Sequence, residues 1–121
     1  MIKLDHLTIS VGDYRKSRDW YIQHLGLKLE FEVPDRAAAL IDDSGFTLFL
    51  EQAIETPSPC CVLYFQVDNV DEKHRRLSET QVPFVHPPEK RFWGYGVELK
   101  DPDGYCLRLW DQKSMQENDG D

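Results

Sequence analysis

The segment HLTISVGDYRKSRDWYIQHLGL, residues 6–27, changes its hydrophobic period midway. Read from residue 2, its first part alternates. Ile2, Leu4, His6, Thr8 and Ser10 point one way, and Leu7, Ile9 and Val11 the other. That is a strand over 2–11 with one strongly apolar face. Gly12 ends the alternation, and Asp13 supplies a side-chain acceptor where a helix cap is needed. Beyond it Tyr14, Ser17, Tyr21 and Leu25 fall near one helical stripe, with Trp20 beside it. Gly26 closes the helix as a C-terminal glycine.

Outward from this segment the same order of elements occurs twice. After Gly26 come a strand over 27–33, a turn at Pro34-Asp35, and a hairpin of strands 36–42 and 46–51 around Asp43-Ser44-Gly45. Two prolines in three residues exclude regular structure from Glu55-Thr56-Pro57-Ser58-Pro59, which reads as a linker. A strand over 61–67 then opens the second half. Asn69 is its helix cap, with Glu72 three residues on as in a capping box. A strand over 83–86, the pair Pro87-Pro88, and strands 92–100 and 105–110 about the turn Asp101-Pro102-Asp103-Gly104 complete it. The expected fold is α+β: two βαβββ modules forming a curved mixed sheet with a concave cleft. One domain covers 1–112, with module one at 1–53, a linker at 54–60 and module two at 61–112. Residues 113–121, polar throughout but for Met115, read as a disordered tail.

Composition narrows the function classes. The 121 residues are 40% hydrophobic and 30% charged, as in an ordinary globular domain. The net charge is −8. A nucleic-acid binder needs a basic stripe. The basic clusters at Arg15, Lys16 and Arg18 and at Lys73, His74, Arg75 and Arg76 are interleaved with acidic residues and read as solvated helix faces. No apolar run approaches a membrane span, and the N-terminus lacks the pattern of a signal peptide. The three cysteines, Cys60, Cys61 and Cys106, form neither a disulfide framework nor a zinc motif. A cytoplasmic protein with no nucleic-acid or membrane partner is the expectation.

Sorting the strands by parity separates two surfaces. Leu7, Ile9, Val11, Leu48, Leu50, Leu63, Phe65, Val67, Leu107 and Leu109 are all apolar and belong under the helices. The other parity holds His6, Thr8, Ser10, Thr47, Phe49, Glu51, Val62, Tyr64, Gln66, Cys106, Arg108 and Trp110. Aromatic walls with a few polar groups are the composition of a small-molecule site. A dimer interface, or a wet sheet face carrying stray aromatics, has the same composition. The aromatics of Arg91-Phe92-Trp93-Gly94-Tyr95, that is Phe92, Trp93 and Tyr95, either stack on a ligand at the cleft mouth or close the end of the sheet.

These residues also carry a resemblance. His6-Leu-Thr-Ile-Ser-Val-Gly-Asp, Ser17-Arg-Asp-Trp-Tyr and Leu25-Gly26-Leu27 resemble the opening of the vicinal oxygen chelate superfamily. That superfamily includes glyoxalase I, fosfomycin and bleomycin resistance proteins and extradiol dioxygenases. Phe65-Gln-Val-Asp-Asn-Val-Asp, Phe92-Trp-Gly-Tyr-Gly-Val and Asp101-Pro-Asp-Gly104 resemble its second module. The resemblance spans residues 2–111 and implies paired βαβββ modules, a homodimer, and in the enzymes one divalent metal on His and Glu ligands. Carried over, the ligand positions fall on His6, on Phe49 or Glu51, on Val62 and on Arg108. Val62 has no donor, and a guanidinium stays protonated and repels a metal ion. His6 and Glu51 remain the only metal candidates, so no cofactor is expected.

Two roles are open to Arg108: anchoring an anionic ligand, or pairing with Glu51 in an internal salt bridge. The expected function is a small-molecule binding protein, metal-free, that holds an aromatic or amphipathic compound. Its contacts would be His6, Phe49, Glu51, Tyr64, Trp93, Tyr95, Arg108 and Trp110. Two alternatives stand beside it. One is a divalent-metal-dependent lyase, dioxygenase or thiol transferase. The other is a metal-free enzyme with His6 or Glu51 as general base. No nucleophile with a positioned base is legible in the sequence.

Overall fold

The structure, a computed structural model, is described over residues 1–112. The expected disordered tail at 113–121 lies outside the described residues. The chain divides into two compact units, Met1–Pro59 and the chain from Cys60 onward. The first contains β1 (His6–Val11), α1 (Tyr14–Leu25), β2 (Lys28–Val33), β3 (Ala37–Ile41) and β4 (Thr47–Gln52). The second contains β5 (Val62–Gln66), α2 (Val70–Glu79), β6 (Phe84–Arg91), β7 (Gly94–Lys100) and β8 (Cys106–Trp110). Each unit is therefore a βαβββ module with its own four-stranded mixed sheet, ordered β1-β4-β3-β2 and β5-β8-β7-β6. In both, the first and last strands pair in parallel and the rest antiparallel.

The caps lie where the residue types put them. Asp13 accepts from the backbone N–H of Arg15 and Lys16, and Asn69 from that of Glu72, satisfying N–H groups that a helix start leaves unpaired. Gly26 ends α1 at φ 71°, in the left-handed region that glycine enters without cost. The hairpin turns before β4 and β8 are built alike. Asp42 accepts from the backbone N–H of Ser44 and Phe46, and Asp101 from that of Asp103 and Tyr105. In each the turn closes through a glycine, Gly45 or Gly104, whose N–H bonds the same aspartate's carbonyl. These Asx turns fix the register of the strands that follow.

The apolar parity is the buried one. Ile9, Val11, Leu48 and Leu50 form the core of the first unit with Tyr14 and Tyr21 of α1, and Ala37, Ala38, Ala39 and Leu40 of β3. Leu63, Val97, Leu99, Leu107 and Leu109 are buried in the second unit with Val70 and Leu77 of α2. Each Leu so placed contributes about 1.5–3 kcal/mol. Leu7, expected in this set, is exposed, because it sits at the open end of β1 beside residues 1–5, which have no regular structure.

Two boundaries differ from expectation. β1 begins at His6 rather than residue 2, because its partner β4 begins at Thr47 and offers nothing to pair with farther back. β6 runs through Pro87-Pro88 to Arg91 instead of stopping at residue 86. Both prolines fall between His86 and Glu89, where the register slips, on a strand that pairs on one side only. Edge position and bulge are the two places where a strand tolerates a residue without N–H. Among the described residues no helix is long and apolar enough to cross a membrane.

Candidate functional site

One row of paired residues crosses all four strands of the second sheet: Tyr64 on β5, Arg108 on β8, Glu98 on β7 and His86 on β6. Directly paired residues share a face. The intervening Leu107 and Leu109 are buried, so this row occupies the face opposite the apolar core. Trp110, paired with Gln66 and Gly96, belongs to the next row of the same face.

Arg108 is the centre of the arrangement. Its Nε donates to Glu98 Oε1 at 2.8 Å, and its Nη1 donates to the Tyr64 hydroxyl. Both members of the ion pair are largely withdrawn from solvent, with side chains 19% and 18% exposed. Three aromatic rings surround the guanidinium, with centroids 5.2 Å (Trp93), 5.4 Å (Tyr64) and 5.7 Å (Phe92) from its central carbon. Each is within cation–π range. The Arg108 hydrogen bond holds the Glu98 carboxyl below its usual range, against the opposing effect of burial. Glu98–Arg108 is thus an ion pair made by neighbours on adjacent strands of one sheet.

Tyr64 reaches Arg108 by β5–β8 pairing, and Phe92 and Trp93 reach it because of the β6–β7 hairpin. Phe92 and Trp93 form its tip, between the paired residues Arg91 and Gly94. Phe92 is 92% exposed. Trp93 folds back onto the strand, with its ring 5.9 Å from Tyr64 and 6.4 Å from His86. The close approach requires Gly96. A Cβ there would lie 2.8 and 2.9 Å from two Trp93 ring carbons and 2.0 Å from the Leu109 carbonyl oxygen.

His86 sits beside Trp93 with its side chain only 9% exposed. Its Nδ1 is 2.7 Å from the Pro87 carbonyl oxygen. A carbonyl only accepts, so Nδ1 carries the proton and, in the neutral ring, Nε2 presents a lone pair. Cys106 shares the face, but burial and then its hydrogen bond to Glu98 push the thiol up in pKa. A thiol held protonated is a poor nucleophile.

Tyr95 does not join this face. Its neighbours in parity are the buried Val97 and Leu99, and its hydroxyl donates to Asp71 Oδ1 of α2 at 2.7 Å. Burial, and then the bond to Asp71, push its phenol up to about 12. Tyr95 ties the helix to the sheet.

The first unit presents its own polar-aromatic face. His6, Thr8 and Ser10 pair with Thr47, Phe49 and Glu51. The Phe49 ring lies 5.7 Å from His6 and 5.5 Å from Phe31, making a strip of three rings. His6 Nδ1 is 3.0 Å from Asp5, and Glu51 is exposed. Of the positions onto which the family's metal ligands map, Val62 has no donor atom, and Arg108 is a cation already engaged by a carboxylate. The residues here do not match that ligand set.

The structure thus brings together Tyr64, Trp93, Arg108 and Trp110 in one unit, and His6, Phe49 and Glu51 in the other. Glu98 and His86 join this face although parity in the sequence does not assign them to it. Glu98 was findable, since the Asp101–Gly104 turn sets Lys100 opposite Cys106 and so Glu98 opposite Arg108. His86 was not, because β6 slips register on both sides of it.

The geometry can be set beside known proteins. A model of the Glyoxalase/Bleomycin resistance protein/Dioxygenase superfamily matches residues 3–109. A possible glyoxalase from Bacillus cereus superposes with a TM-score of 0.77 at 23% identity, over 91% of this chain and 99% of that one. A glyoxalase/dioxygenase from Nostoc punctiforme gives 0.74 at 26% identity, over 90% of each chain. Lactoylglutathione lyase from Agrobacterium tumefaciens gives 0.75 at 17% identity, over 92% of this chain and 94% of that one. No curated protein matches at significant similarity. With a family match over nearly its whole length and the paired βαβββ modules in place, the chain belongs to the glyoxalase/bleomycin resistance protein/dioxygenase superfamily.

Proposed function

We propose that this chain is a small-molecule binding protein that holds an aromatic or amphipathic compound against the Arg108 face of its second unit, without a metal. One observation carries the reading: a guanidinium fixed by Glu98 and Tyr64 lies among the rings of Tyr64, Phe92 and Trp93. Apolar walls around a few fixed polar groups are how a pocket orients a small ligand. Val62 and Arg108, at positions where the superfamily's enzymes place metal ligands, support the metal-free part. The resemblance supports a homodimer. The unbridged cysteines suit the reducing cytoplasm.

The test is a thermal-shift titration of EDTA-treated protein with Zn, Ni, Mn and Fe(II), run beside a panel of aromatic compounds. A ligand bound only by the folded state raises the melting temperature by mass action. Aromatic compounds are expected to raise it and to quench tryptophan fluorescence, while the metals leave it unchanged. A saturable metal shift that disappears in His6→Ala would replace this reading with a metal-dependent enzyme.

A further inference from the structure

We infer that the compound is a planar aromatic acid whose carboxylate is chelated by Arg108 Nη2 and the Tyr64 hydroxyl. The inference rests on the binding reading above and specifies its ligand.

The first support is the inventory of donors. Glu98 occupies Nε of Arg108, and the Tyr64 oxygen occupies Nη1. Nη2, with two N–H groups, is committed to neither. Because the Tyr64 oxygen accepts from Nη1, its own proton is left for a third group. Two donors therefore flank Nη1, and a carboxylate has two coplanar oxygens to receive them. Charge-assisted bonds of this kind are stronger and more directional than neutral ones.

The second support is local charge. Strand pairing puts Lys100, Arg91 and Arg108 on this face against Glu89 and Glu98, a local balance of +1 in a chain of net −8. Glu89 is spent on Arg91 at 2.7 Å, and Glu98 on Arg108. Both carboxylates are thus already paired, while Lys100 adds an uncompensated positive charge to the face. The third support is shape. The Tyr64 and Trp93 rings meet edge to face at 77°, so two ring surfaces of different orientation border the guanidinium. An arene attached directly to the carboxylate reaches them while the acid stays on the donors.

The experiment is calorimetric titration of the full chain with three probes of one shape: naphthoate, naphthamide and naphthylmethylammonium. Naphthoate is expected to bind about tenfold or more tighter than naphthamide, and to weaken as salt is added. The preference should vanish in Arg108→Gln and shrink in Tyr64→Phe, each checked for folding by circular dichroism. Should Arg108→Gln fail to fold, the wild-type comparison and Tyr64→Phe decide the matter. Equal affinity for acid and amide, or a preference for the ammonium, overturns the inference and leaves the binding reading standing. Failure of all three probes to bind wild-type protein overturns both.

Discussion

Gly96→Ala tests whether the Trp93 wall depends on one missing side chain. The new Cβ would sit 2.8 and 2.9 Å from Trp93 ring carbons, and the ring can swing to relieve those contacts. The contact at 2.0 Å is with the Leu109 carbonyl, which is backbone of β8. Restoring ordinary packing separates β7 from β8 by about 1.5 Å. That stretches the local ladder bonds beyond useful length. Overpacking costs about 1–3 kcal/mol, and each weakened ladder bond about 1 kcal/mol more. We expect a loss of about 3 kcal/mol, seen as a fall in melting temperature on the order of 10 °C. Urea denaturation measures the first, and near-ultraviolet circular dichroism reports the displaced indole. Gly45→Ala is the control. A Cβ there meets nothing within 4 Å, but the backbone stands at φ 89°, so about 1–2 kcal/mol is expected from conformation alone. A Gly96→Ala variant within ~0.5 kcal/mol of the parent would show that β7 can yield without cost and that Trp93 is not held as described.

Two further outcomes follow from polar contacts. The buried Asp111 accepts from the Val70 N–H at 2.6 Å, at the first turn of α2. Asp111→Ala should cost about 1–3 kcal/mol in urea by leaving that N–H unsatisfied, with Asp111→Asn recovering part of it. The Tyr95 phenol, raised to about 12 from an ordinary 10, binds its proton more tightly in the folded state. Its contribution to stability is thus complete below pH 10 and is lost as pH rises through about 12. Tyr95→Phe should lose less stability than the parent between pH 10 and 12, and an identical slope would show the Asp71 contact to be unimportant.

What could be read in the chain divides along a physical line. Caps and tight turns depend on residues within four positions of one another, and Asp13, Gly26, Asn69 and the two aspartate–glycine turns declare themselves. Parity read from β1, β4, β5 and β8 put His6, Phe49, Glu51, Tyr64, Arg108 and Trp110 on the polar faces, since those strands pair without a slip. Strand β6 pairs irregularly, and each slip reverses which residues face which way, so parity counting could not place His86. Tyr95 shows a different limit: adjacency in sequence groups it with Phe92 and Trp93, but those two occupy a hairpin tip and Tyr95 a strand position facing the helix. Glu98 as a partner of Arg108 depends on cross-strand register, which residue type alone does not declare.

In each unit the first strand bonds to the last, from His6 opposite Thr47 and from Val62 opposite Cys106. On the ribosome, β1 emerges with no partner yet made, and its pairing waits until β4 has followed it out. The helix and the central hairpin are the parts that form from local contacts in the meantime. Completion of each sheet thus coincides with the arrival of its final strand. Until β4 has cleared the ribosome, the edge of β1 that carries Ile9 and Val11 has no strand to bond, and β5 waits in the same way for β8.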